Sequence, residues 1–194
     1  FLGIDITQTL CFFAFWAMHL VFIKHGTESI RWLEPFAAPF LILMGLALLG
    51  WAYVNAGGFG EMLSTPSQFV EGGAKEGQFW TAFFAGLTSM VGFWATMALN
   101  IPDFTRFAKS QKDQMLGQAI GLPLPMALFA FIGVAVTSAT VTIYGEAIWD
   151  PVALAGRMGG MGVVLALAAL ALATLTTNLA ANMVAPAYGF SNMA

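Results

Sequence analysis

An all-α membrane protein is the fold class predicted by three features of this sequence. Its residues are 59% hydrophobic and 9% charged, with a mean hydropathy of +0.79, whereas a soluble domain carries roughly 25% charged residues to solvate its surface. Five segments are long enough to span about 30 Å of hydrocarbon, which takes about 20 mostly apolar residues at 1.5 Å rise each. None shows the alternation of a membrane barrel strand, and each is about twice the length such a strand requires.

The five helices are expected near residues 6–23, 32–54, 79–101, 119–144 and 160–184. The first carries Asp5 and Gln8 at an end that water can reach. Cys11, the sole cysteine, cannot form an internal disulfide and reads as a small packing hydrophobe. His19 in that span reads as a packing group and His25 beyond it as a solvated one, because neither has a Cys, Asp or His at ligand spacing. The connections 55–78 and 145–159 show no sign of a folded domain.

Charge sets the expected orientation. Lys24, Arg31, Arg106, Lys109 and Lys112, five of the seven basic residues, fall in the first and third connections. The alternate connections carry Lys75 and Arg157 but also Glu61, Glu71, Glu76, Glu146 and Asp150. The first and third connections are therefore expected to face the cytoplasm. With a formal net charge of −3 and so few basic residues, there is no patch for nucleic acid. No nucleophile–base pair, phosphate loop or metal-ligand cluster appears, which argues against an enzyme. The chain begins at Phe1 and enters an apolar run almost at once, without a charged leader, so it is expected to be a piece of a longer protein.

Function is sought where polar groups interrupt the apolar runs. Each such group costs several kcal/mol at membrane depth if unpaired, so it implies a ligand, an ion or a neighbouring helix. The densest cluster is Ala173-Leu-Ala-Thr-Leu-Thr-Thr-Asn-Leu-Ala-Ala-Asn182 in the fifth span. In the third, Gly92 stands among Phe93, Trp94, Thr88, Ser89 and Thr96. The helix could unwind at Gly92 to offer backbone groups, or the glycine could let another helix approach. Trp94 is too deep for an interfacial belt; it could stack on a flat ring or simply pack.

Three stretches, in order, resemble the nucleobase–cation symporter-1 family: Gly26-Thr-Glu-Ser-Ile-Arg-Trp-Leu-Glu-Pro-Phe-Ala-Ala-Pro39, Asn100-Ile-Pro-Asp-Phe-Thr-Arg-Phe-Ala-Lys-Ser-Gln-Lys-Asp-Gln114 and Thr176-Thr-Asn-Leu-Ala-Ala-Asn-Met-Val-Ala-Pro186. That family includes permeases for hydantoins, allantoin, uracil and cytosine. The resemblance implies a twelve-helix leucine-transporter-type architecture with an inverted five-plus-five repeat, of which these residues look like helices four to eight. That assignment agrees with the orientation read from the basic residues.

It also implies roles. The family's sodium ligands on helix eight are a backbone carbonyl followed three and four residues later by two hydroxyls, a spacing that Ala173, Thr176 and Thr177 reproduce. Those positions share one helical face, and oxygen ligands suit a hard cation; the threonines could equally bond back to their own helix. Two further ligands would be carbonyls of helix one, which is not in this chain. Trp94 matches the helix-six tryptophan that lies against a flat heterocycle, with a second aromatic and a glutamine coming from helix three. Phe93 stands where some relatives have glycine, which narrows the pocket. Asn182 matches the helix-eight asparagine whose amide pairs with the ring's N–H and C=O edges; on an ideal helix it lies about 140° from Thr177. Interhelical pairing is the competing role for Asn182.

The function so implied is a symporter of the cell membrane. It would take up a nucleobase, hydantoin or allantoin-like heterocycle with a cation, sodium in preference to a proton, by alternating access and without a cofactor. A carrier of amino acids or other small solutes, or a channel, of similar architecture is the alternative.

Overall fold

The computed structural model describes residues 3, 5–25, 27–64 and 66–193, and among them the regular structure is entirely helical. The order is α1 (Ile6–Lys24), α2 (Thr27–Asn55), α3 (Phe59–Leu63), α4 (Phe79–Thr105), α5 (Gln111–Gly121), α6 (Pro123–Tyr144), α7 (Pro151–Met158) and α8 (Gly160–Asn178). A π-helical turn (Leu179–Val184) and α9 (Ala185–Ser191) follow.

Among the described residues, four helical stretches are long and apolar enough to cross a membrane: Ile6–Lys24, Arg31–Asn55, Gln111–Tyr144 and Gly160–Ser191. The third expected span lies in α4, whose 27 residues reach about 40 Å, but its apolar stretch among the described residues is the shorter Phe79–Ala95. The chain is thus a multi-pass membrane protein.

Local chemistry explains the helix ends. Asp5 caps α1 in a reciprocal box: its carboxylate accepts from the Gln8 amide at 2.7 Å, and the Gln8 side chain accepts from the Asp5 amide at 3.0 Å. Ser110 caps α5 by accepting from the Asp113 amide at 3.1 Å. Asp150 caps α7 through the amides of Val152 and Ala153, with Pro151 supplying a preset first turn. Gly145 ends α6 in a left-handed conformation, φ 77°.

The chain divides into two compact units, Leu43–Leu165 and, together, Phe1–Ile42 with Ala166–Ala194. The first has a core of buried residues built on small side chains. Ala52 and Ala56 at the end of α2 and Ala135 and Ala139 of α6 each repeat at four-residue spacing, which lets membrane helices come close. At Gly45 the approach is tight enough that a Cβ would lie 2.9 Å from the Phe129 ring. Met62 of α3 and Leu154 of α7 close this core. The connections 55–78 and 145–159, which show no sign of a folded domain in the sequence, each contain a short helix, α3 and α7, packed on this core.

A polar tie completes the unit. Thr140, fully buried, donates to the Thr137 carbonyl at 2.7 Å and accepts from the Ile148 amide at 2.8 Å, fastening the 145–150 turn to α6. Above it, Arg157 pairs with Glu146 at 2.7 Å, both half exposed, and the Tyr144 hydroxyl donates to the Arg157 carbonyl at 3.3 Å.

In the other unit, α1 and α9 both pack against the π-turn. His19 is the buried residue of α1; the rest of that helix presents apolar side chains such as Phe12, Phe13 and Trp16 outward, as a lipid-facing or helix-facing surface should.

Candidate functional site

Phe93 and Trp94 lie in the unit 43–165, whereas Ala173, Thr176, Thr177 and Asn182 belong to the other. The middle residue of α4 is Gly92, and Trp94 stands two residues beyond it. The helix runs unbroken through Gly92, and a Cβ there would meet nothing within 4 Å. Neither the unwinding nor a close approach expected at this glycine occurs among the described residues. The reason is local: apolar residues flank Gly92, and nothing interrupts the hydrogen-bond ladder until Pro102. The side chain of Thr96 lies outside the described residues.

Phe93 and Trp94 touch edge to face, with centroids 5.3 Å apart and planes at 84°. Consecutive residues project about 100° apart on a helix, so their rings cover different faces of α4. Phe93 is 68% exposed and Trp94 37%, so the indole is sheltered yet keeps an open flank. A shallow hollow lined by Phe104, Phe107 and Gln114 lies between the end of α4 and α5, away from both.

The polar cluster behaves differently. Thr176 is buried and stands near the middle of the 32-residue apolar stretch Gly160–Ser191. Its hydroxyl lies 3.0 Å from the Leu172 carbonyl and 3.2 Å from that of Ala173. The expected back-bonding is therefore present at Thr176, and it joins two of the three groups assigned to a cation. Donating the proton leaves the hydroxyl oxygen two lone pairs, so this bond and cation ligation are compatible. Thr174 back-bonds likewise to Leu170 at 2.8 Å, and the Thr177 side chain is exposed.

Asn182 is exposed and sits in the π-turn, where its Nδ2 donates to Asn178 Oδ1 at 2.7 Å. That bond lies within its own helical stretch and is not interhelical pairing, its competing role. Its carbonyl oxygen and second amide hydrogen are left to recognise a partner. The rotation of about 140° from Thr177, computed for an ideal helix, does not carry across the π-turn, because i→i+5 bonding turns each residue through a smaller angle.

The π-turn itself was missed by periodicity, although a signal existed. Pro186 lacks an N–H, and its ring would clash with the carbonyl four residues earlier, that of Asn182. Widening the turn ahead of the proline moves that carbonyl aside. One helix thus presents hydroxyls, a carbonyl, an amide and a widened backbone within ten residues, Ala173–Asn182.

The sequence pattern of permeases for cytosine/purines, uracil, thiamine and allantoin matches residues 1–194. The chain belongs to this family. It is 50% identical over 193 residues to a purine-uracil permease of Arabidopsis thaliana, covering 99% of this chain and 31% of that protein. It is 45% identical over 192 residues to an allantoin permease of Bacillus subtilis, covering 98% and 38%. A uracil permease of Saccharomyces cerevisiae is 30% identical over 183 residues, covering 90% and 28%. The chain therefore spans about a third of the length of these relatives. No solved structure matches it. The expected membership of the nucleobase–cation symporter-1 family holds, and the proteins of this permease family are transporters rather than enzymes.

Proposed function

We propose that the whole protein is a secondary active transporter of the cell membrane that takes up a nucleobase, hydantoin or allantoin-like heterocycle together with a cation. The observation that carries this reading is the match of the permease family along all 194 residues, with relatives named for purines, uracil and allantoin.

In this reading Trp94 supplies the open flank of its indole to one face of the ring, Phe93 narrows the pocket beside it, and the Asn182 amide reads an N–H/C=O edge. The Ala173 carbonyl and the Thr176 and Thr177 hydroxyls bind sodium, with further ligands from helices outside these residues. Cation and substrate bind near the midplane of a leucine-transporter-type fold, and rocking between two states exposes them to each side in turn. A cation that favours the outward-open state raises substrate affinity, and the substrate reciprocally raises that of the cation.

Sodium is preferred because both threonine oxygens are present and neither α4 within its apolar stretch nor α8 carries a carboxylate to relay protons. The test is uptake of labelled uracil, cytosine, allantoin and a hydantoin by cells making the full-length protein, with sodium present or replaced. Sodium-dependent uptake of one ring compound is the expected result. Uptake indifferent to sodium but abolished by collapsing the proton gradient would reassign the coupling ion, and no uptake of any of them would remove the substrate class.

A further inference from the structure

Helix α5 turns its apolar side outward. At 100° per residue, Lys112, Met115, Leu116, Ala119 and Ile120 fall within an arc of about 140°, and Met115, Leu116 and Ile120 are 63%, 49% and 61% exposed. The glutamines point the other way: Gln114 and Gln118 are half-buried and, with Asp113 and Gly117, line the hollow against Phe104 and Thr105 at the end of α4. A helix standing in water keeps its polar face outward. The outer face of α5 suits a less polar medium.

Its depth follows from length. The stretch Gln111–Tyr144 has 34 residues, about 51 Å as continuous helix, well beyond about 30 Å of hydrocarbon. Helix α6 by itself, with 22 residues, reaches about 33 Å inward from Gly145. There Pro123, which has no N–H to give, interrupts the helix. Helix α5 is the surplus, and it falls at the membrane surface on the side that the excess of basic residues assigns to the cytoplasm.

Charge narrows the medium further. Arg106, Lys109 and Lys112 are all exposed, and the Arg106 guanidinium lies 5.0 Å from the centroid of the exposed Phe107 ring. No ion pair among the described residues engages Lys109 or Lys112. The nearby acids are Asp103, half-buried, and Asp113, whose carboxylate accepts from the Ser110 hydroxyl at 2.8 Å. Water would solvate the lysines but leave Met115, Leu116 and Ile120 exposed to it. Another helix packed on this face would take the Lys112 charge into the contact. A bilayer interface with anionic headgroups satisfies both, because the apolar side chains enter the acyl boundary while the lysine stems reach back to the phosphates.

We propose that α5 and the turn before it form a docking surface for anionic phospholipid of the cytoplasmic leaflet. Met115, Leu116 and Ile120 lie in the acyl boundary, and Lys109 and Lys112 meet the headgroup phosphates. This surface rests on the multi-pass membrane fold and not on the choice of substrate or coupling ion.

The experiment uses the full-length protein with a bimane fluorophore on Leu116→Cys and its other cysteines, Cys11 among them, replaced. The protein is reconstituted in vesicles of phosphatidylcholine and phosphatidylglycerol, with one lipid or the other carrying a nitroxide quencher on its acyl chain at equal mole fraction. Lipid should quench the bimane, and phosphatidylglycerol should be enriched around it about fivefold or more over phosphatidylcholine, fivefold being the worth of one surface lysine. Lys109→Gln combined with Lys112→Gln should bring the two lipids level, as should 1 M salt, where the Debye length falls to about 3 Å.

Quenching by aqueous iodide instead of lipid would put this face in water, and quenching by neither would put it beneath another part of the protein. Equal quenching by the two lipids with both lysines present would remove the anionic headgroup, and a preference that survived the double substitution would remove the lysines. Each of these results overturns the proposal.

Discussion

Helix α4 and the stretch from α8 through the π-turn each offer groups to a ligand, and they do so under opposite constraints. On α4 the candidates are aromatic, with the indole N–H of Trp94 their one polar group, and stand on an unbroken helix with Trp94 37% exposed. On α8 they are hydroxyls and an amide, and the structure occupies them first: Thr176 with carbonyls of Leu172 and Ala173, Asn182 with Asn178. The contrast follows from the medium. The aromatic faces lose nothing by waiting in an apolar site, whereas an unpaired polar group there costs about 1–3 kcal/mol or more. Ligands bound as proposed would therefore add contacts at α4 but would have to exchange or share them at α8.

The largest effect should come from Trp94→Ala. Losing the stacked face, worth about 0.5–1.5 kcal/mol beyond its buried area, should weaken substrate affinity by about 10- to 100-fold with little change in the amount of folded protein. A wild-type half-saturation constant in the mutant would erase the distinction between the two regions. Asn182→Ala should cost about tenfold, near the upper end for one hydrogen bond, because the amide exchanges its Asn178 partner for the ring. A loss as large as that of Trp94→Ala would mean that the amide is not pre-paired in solution.

Pro186→Ala sharpens the comparison from the backbone side. With the N–H restored, the π-turn should revert toward α-helix, rotating Asn182 and lowering uptake severalfold without altering sodium dependence. Cross-linking between cysteines placed at positions 178 and 183 of the helix and its neighbours would report the rotation. Thr177→Ala should raise the sodium concentration needed for half-maximal uptake by about three- to tenfold, the value of one oxygen ligand taken as about 1 kcal/mol, and leave thermal stability unchanged because the side chain is exposed. Unaltered sodium dependence would remove Thr177 from the site. The smallest effect belongs to Gly92→Ala: a Cβ meets nothing within 4 Å on a continuous helix, so uptake should stay within about twofold, and helix propensity gains up to about 1 kcal/mol. Loss of uptake would indicate that α4 does unwind there.

Much of this was written in the sequence, for identifiable reasons. The helical class follows from long apolar runs that lack alternation, and the polar groups of 173–182 stand out because their neighbours are uniformly apolar. The back-bonding of Thr176 follows from threonine chemistry in any membrane helix. What periodicity could not give was the departure from α geometry after Asn178, since a fixed 100° step carries no information about a wider turn. Pro186 held that information through its missing N–H. Nor could spacing rank Gly92 against the 179–184 segment as the place where a helix deforms; the glycine permits a break, whereas the proline requires an adjustment.

His19 illustrates the same limit. It reads as a packing group and is indeed buried, but the neighbour it packs against was not legible, because hydrophobic patterning cannot orient a helix that is apolar all round. The helix within the 145–159 connection was not read from the sequence, although Asp150 and Gly145 are residues that cap helices there, and the tie through Thr140 required a contact eight residues away.

The most direct test of the central claim compares uptake of labelled uracil and allantoin by cells making equal amounts of the full-length protein with Trp94, Trp94→Phe or Trp94→Ala, each with sodium present and replaced. The account predicts sodium-dependent uptake of one compound, reduced in Trp94→Phe, which keeps a smaller ring, and nearly abolished in Trp94→Ala. Uptake by Trp94→Ala equal to that of the wild type would contradict the assignment of α4 as the stacking face of the site.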